Sequence, residues 1–364
     1  MKNERGFTIV ELMVAIAVTL ILMAAAVSVY QKAVQVATIT NEQSDMQTEL
    51  RGAMNQLTRD LNQAGTGIPV GGIPIPSSST GGSNPMFACD ASICYISTGN
   101  SFTQGVLYKV TPANGVGANI LQASDAIIIT YLDSLLSPLA NPAACSPACN
   151  WSSSTTTTLA SNGSTVTMPT GLSPAMNDAA NGLNVGDVMM LQNSVGSAVG
   201  VITAYDASSR IITFASGDPL AINQPTASAG NIKALKSGAT YPAVTVSRVM
   251  MITYFIRPIV SAGVVVDSQL MRQIGGRTPT VVADHIEDLQ FTYDVFDTNT
   301  STLTAALPDA ATGSPAVAVP NQIRKINVSM TVRSPRPNAQ GKYDHFTLST
   351  SIGPRNLSFQ DRYN

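Results

Sequence analysis

The chain has 364 residues, enough for a membrane segment and one large or two modest domains beyond it. Charged residues make up only 12% against a usual ~25%, and Ser, Thr, Asn, Gly and Ala fill the gap, a composition common in secreted or surface β-rich proteins. With a net charge of −2 and only scattered Lys and Arg, there is no electrostatic footprint for DNA or RNA, so no nucleic-acid partner is expected.

The first thirty residues dominate the reading. A short charged leader, Met1 to Arg5, ends in Gly6, and an apolar run follows from Phe7 to Tyr30 with one charge in it, Glu11. About 20 apolar residues at ~1.5 Å each cross a bilayer as a helix. A lone carboxylate in such a segment costs ~2.5–3.5 kcal/mol on insertion scales and therefore needs a reason to be there. A plain signal peptide would place a cleavage site after a core of ~7–15 residues. Ala24-Ala25-Ala26 comes too late for that, and Glu11 lies inside the core. A simple anchor explains the length but not the carboxylate. A buried soluble helix does not fit a run this long behind a basic leader.

Gly6-Phe7-Thr8-Ile9-Val10-Glu11-Leu12-Met13-Val14-Ala15-Ile16 resembles the N-terminus of the type IV pilin and pseudopilin superfamily. The resemblance implies cleavage between Gly6 and Phe7 by a dedicated prepilin peptidase on the cytoplasmic side. It also implies N-methylation of the new Phe7 terminus and a role for Glu11, the fifth mature residue, in subunit register. The physics agrees: the freed amine of Phe7 and a Glu11 carboxylate attract far more strongly in an apolar helical bundle than in water. The helix N-terminus also favours a carboxylate in its first turns.

Past Tyr30 the helix is expected to run on to Gln63, about 85 Å in all from Phe7. Met46, Leu50, Ala53, Met54, Leu57 and Leu61 recur at spacings of three and four, so this half packs on a globular head while Glu42, Asp45, Glu49, Arg51, Arg59 and Asp60 stay wet. Gly65-Thr66-Gly67-Ile68-Pro69 supplies a C-cap glycine and a breaker. Gly65 to Pro85 reads as a connecting loop. Alternating β-type segments then fill the chain: 105–111, 126–133, 187–192, 197–205, 210–215, 246–257, 263–272, 289–296, 323–333 and 344–352. Ala143 to Thr167 reads as an exposed insertion and Thr298 to Pro320 as a mobile one. The expected organisation is a leader over 1–6, a helix over 7–63 (7–30 transmembrane) and an exported β-rich head over 64–364.

A basic leader before the span places the head outside the cytoplasm, where disulfides form. The four cysteines allow three connectivities, and the two local pairs, Cys89–Cys94 and Cys145–Cys149, are favoured because each lies in a turn where closure is easy. No hydrolase elbow, phosphate-binding loop or complete dinucleotide fingerprint is present, and the two histidines are sixty residues apart, so an enzyme is not expected. Asp284, Glu287 and Asp288, beside His285, have the oxygen donors of a calcium site. The plainer reading is a polar turn before the strand at Leu289, and no metal or other cofactor is expected. Asp187 likewise reads as a turn residue.

Later stretches resemble large PilW-type minor pilins: Gly186-Asp187-Val188-Met189-Met190-Leu191 with Gly200-Val201-Ile202-Thr203, Leu270-Met271-Arg272-Gln273, Val282 to Tyr293, and Pro354-Arg355-Asn356-Leu357. The resemblance implies an α+β type IV pilin fold, a long helix packed on an antiparallel sheet in an enlarged head. It further implies a structural minor pilin that helps prime or assemble a pilus at the inner membrane. The implied partners are other pilins, the prepilin peptidase, the inner-membrane assembly platform and the membrane itself. A type II secretion pseudopilin, or an adhesin or DNA-uptake head on a pilin stalk, are the alternatives.

Overall fold

The helix α1 (Ile9–Gln63) sets the axis of the protein in this computed structural model, which describes residues 8–96, 99–117, 123–136, 151, 157–226, 229–297, 300–308, 320–338 and 340–358. Its two halves have opposite surroundings. From Ile9 to Val36 every side chain is exposed, and the segment is long and apolar enough to cross a bilayer. From Met46 onward, the stripe of Met46, Leu50, Ala53, Met54, Leu57 and Leu61 is buried, as the three-and-four spacing requires. The helix ends where the glycines begin. Gly65 takes a φ of +79°, which a side chain would strain, and its N–H donates to Thr130 O at 2.8 Å, tying the helix end to the head.

The head is built from strands. In chain order they begin with β1 (Ile73–Pro74), β2 (Val106–Leu107), β3 (Val110–Gly117), β4 (Ser124–Leu132), β5 (Thr158–Leu159) and β6 (Thr165–Thr167). Next come β7 (Val188–Gln192), β8 (Ser197–Val201), β9 (Ala204–Asp206), β10 (Ile211–Thr213) and β11 (Thr245–Ser261). The last are β12 (Val264–Ile274), β13 (Thr280–Asp284), β14 (Ile286–Asp297), β15 (Thr302–Pro308), β16 (Ile323–Arg333) and β17 (His345–Ile352), before the short helix α2 (Arg355–Ser358). The pairings are antiparallel throughout the described residues. The large sheet runs β13-β12-β11-β4-β3, with the β7-β8 hairpin also on β11; a second sheet runs β15-β14-β16-β17, and a third β5-β6-β10-β9.

Strand alternation divides the interior. In β4, Ile127, Ile129 and Tyr131 face the helix stripe, while Ala126, Ile128 and Leu132 face a second core on the other side of the sheet. That explains why β4 is buried along its whole length. Phe291 and Tyr293 from β14, with Val328 and Met330 from β16, close the first core over the helix. A third core, around Met189, Leu191, Ile212 and Phe214, lies between the β7-β8 hairpin of the large sheet and the small sheet.

Three expectations are corrected. Thr298 to Pro320 is not a loop over its described part, because Thr302–Pro308 pairs with β14 as an edge strand. Ala143 to Thr167 is not simply exposed: Trp151, Leu159 and Val166 are buried in the third core. Gly65 to Pro85 does more than connect, since Ile68, Ile73 and Ile75 are buried in the second core.

Candidate functional site

Thr8 and Glu11 form a reciprocal capping box at the exposed end of α1. The Glu11 N–H donates to Thr8 Oγ1 at 3.3 Å, and the Thr8 N–H donates to Glu11 Oε2 at 3.0 Å. Two N–H groups that have no partner within the helix are thereby satisfied. This gives the lone carboxylate a role inside its own chain, and it sits where the helix dipole favours it. The pattern Thr-x-x-Glu at 8–11 was enough to read this box from the sequence, and Thr8 is the residue that reading missed. Gly6 and Phe7 lie outside the described residues.

The docked end of the helix is held by a buried polar node. Asp60, expected from the helix pattern to stay wet, is instead almost fully buried, because it accepts from Tyr254 Oη on β11 at 2.6 Å and from Arg272 Nε on β12 at 2.7 Å. Burial, reinforced by the Asp60 carboxylate, pushes the Tyr254 hydroxyl well above the ordinary phenol value. Burial, again with the Asp60 charge, pushes Tyr131 up to about 12. The node fixes how far the helix slides along the sheet.

The acidic group beside His285 does not gather round a common point. Glu287 is buried, with His345 Nε2 at 2.8 Å and Arg333 Nε at 3.6 Å. Asp284 accepts from Gln269 Nε2 at 2.7 Å, and its own N–H donates to Glu49 on α1. Asp288 accepts from Gln290 Nε2 at 2.8 Å. Among the described residues no cluster of three or more potential ligands is placed to hold a metal ion. Instead, the two histidines meet one charge network: His285 Nδ1 lies 2.7 Å from Asp267, and Arg333 stands between Asp267 and Glu287. Burial alone would raise the Asp267 carboxyl, but the adjoining His285 ring, the hydrogen bond from the Ser268 N–H and the nearby Arg333 guanidinium hold it below the usual range. The network spans β12, β14, β16 and β17 and joins the two larger sheets.

Asp187 is structural as well as a turn residue. Its carboxylate is buried between Arg277 and Arg248, and Arg248 also takes Asp133 at 2.5 Å. Cys89 and Cys94 are joined in a disulfide. Cys145 and Cys149 lie outside the described residues.

Residues 1–27 match the prokaryotic N-terminal methylation motif. No curated protein and no solved structure matches the chain. The motif supports a type IV pilin or pseudopilin-type protein. It points to a structural protein, and together with the exposed apolar half of α1 it fits a membrane-anchored pilin.

Proposed function

We propose that the chain is a structural minor pilin of the PilW type that takes part in priming or assembling a type IV pilus at the inner membrane. The observation that carries this reading is the joint occurrence of the 1–27 motif and a helix bare over its first half but docked on a large head over its second. In this reading residues 1–6 are the leader, 7–63 the pilin helix with 7–30 in the membrane, and 64–364 the exported head. The prepilin peptidase cuts between Gly6 and Phe7, and Phe7 is methylated. The N-terminus is cytoplasmic, and the bare helix later packs against other pilins on the assembly platform.

Glu11 then has two tasks that one pair of substitutions separates. Gln retains the reciprocal hydrogen bonds of a capping box but no charge, whereas Ala loses both. Mass spectrometry of the mature chain should find N-methylated Phe7 at its start, and Gly6→Val should leave the leader attached. In cells, Glu11→Gln should enter filaments several-fold less than the native chain although its helix is properly capped. Native-level incorporation of Glu11→Gln would show that Glu11 serves as a cap alone.

A further inference from the structure

The hairpin joining β11 to β12 is an apolar tip that the described residues leave exposed. Val260, Val264 and Val266 are 56%, 64% and 44% exposed around the Ala262-Gly263 turn. Contacts with the helix fix which way it points. Arg272 on β12 meets Asp60 of α1. Three residues along β12, Gln269 pairs with Asp284, whose N–H meets Glu49, a residue nearer the helix N-terminus. Continuing in that direction, β12 ends at Val264. At the other end of the head, Asn356 Nδ2 donates to Thr66 Oγ1, beyond the end of α1. The hairpin therefore points toward the bare, apolar half of the helix.

The distances suit a contact with the bilayer. From Gln269 to Val264 is about 17 Å of strand, at most about eleven residues of helix, which brings the tip to the level of Thr38. From there to Tyr30 is about 12 Å, within the combined reach of a headgroup layer ~5–7 Å thick and a helix tilt of ~20°. The chemistry suits it too. Beside the tip, Arg333 donates to the Val266 carbonyl and stacks on the Tyr343 ring at 4.2 Å, and Arg336, Lys342 and Tyr343 are exposed on the adjoining loop. Of the carboxylates around this end, Asp267 and Glu287 are paired with Arg333 and the histidines, and the half-buried Asp344 accepts from Asn338 Nδ2, which leaves Arg336 and Lys342 as the exposed charges of the loop; Glu42 and Asp45 lie on α1 itself. Exposed valines, a tyrosine and a basic rim are the groups that settle in a lipid interface.

We propose that this end of the head rests on the bilayer from which α1 emerges, with the 259–266 hairpin seated among the lipid headgroups. The proposal rests on the membrane-anchored reading of α1, and the test separates the two. The full chain, with Cys145→Ser and Cys149→Ser, is placed one copy per lipid nanodisc containing some anionic lipid, and an environment-sensitive fluorophore is attached at Val264→Cys. A headgroup-level nitroxide lipid should quench it about threefold. Leu303→Cys, an equally exposed apolar position on the edge strand β15 at the far end of the head, should be untouched. Leu20→Cys, quenched by a chain-level nitroxide, reports the span itself. If Leu20 is not quenched, the anchor reading fails; if Leu20 is quenched and Val264 is not, the anchor stands and the headgroup contact is wrong. Shielding of Val264 only when several copies share a disc would also overturn it, in favour of a neighbouring subunit. Amide exchange of the unsubstituted chain probes the same contact without a label: residues 259–266 should exchange several-fold more slowly in nanodiscs than in detergent, and equal rates would refute the contact.

Discussion

Asp60 shows how much one side chain can decide. Its carboxylate is buried and holds Tyr254 and Arg272 at the same oxygen, so removing its charge strands a guanidinium in a site that water barely reaches. Breaking one side of such a pair costs ~3–5 kcal/mol, whereas replacing both partners with apolar groups is often close to neutral. Asp60→Asn should therefore lower the thermal midpoint of the head sharply, and Asp60→Leu with Arg272→Met should recover most of the loss. The same node predicts an alkaline limit. Tyr131 is raised in the folded state to about 12. Its contribution is thus fully present below pH ~10, where the unfolded phenol titrates, and is lost as pH rises toward ~12. Unfolding midpoints of Tyr131→Phe should decline less over that window than those of the native chain.

At the scale of elements, the helix was the most legible part of the sequence and the charge networks the least. The three-and-four spacing from Met46 to Leu61 names the buried stripe because helix periodicity is local. The partners of Asp60 lie 194 and 212 residues away, and no local pattern reveals them. Nor does sequence spacing show that His285 and His345 share a network; antiparallel pairing of β14 with β16 and of β16 with β17 brings them together. Strands β5, β6 and β15 were hidden for another reason: their Thr, Ala and Leu residues sit in Ser/Thr-rich surroundings where strand and loop compositions overlap. The capping box is local as well, written in Thr8 and Glu11 three residues apart. The division of α1 leads to its own test. Leu57→Ala removes a fully buried side chain and should cost ~2–5 kcal/mol. Val36→Ala, on the bare half, should leave head stability within ~0.5 kcal/mol, since exposed substitutions seldom do more. Chemical unfolding in one detergent compares them directly.

For the molecule as a whole, three cores share one large sheet, and the second core depends on an excursion of the chain that few ladder hydrogen bonds hold. Over the described residues between Pro85 and Phe102 the backbone is mostly irregular, yet Phe87, Ala88, Cys89, Ile96 and Phe102 are buried against β4 and β11. The Cys89–Cys94 bridge closes the turn at its centre, and Gln273 Nε2 donates to the Cys89 carbonyl at 2.6 Å, fastening that turn to β12. A bridge across so short a loop constrains the unfolded chain by only about 2 kcal/mol on loop-entropy grounds. The loss should therefore be local before it is global. With Cys89→Ser and Cys94→Ser together, amides from Met86 to Phe102 should exchange faster, while the buried half of α1, which belongs to the first core, should keep its protection. The overall unfolding free energy should fall by about 2 kcal/mol. Uniform loss of protection across both cores would mean instead that the sheet between them transmits the opening, and that the head unfolds as one unit.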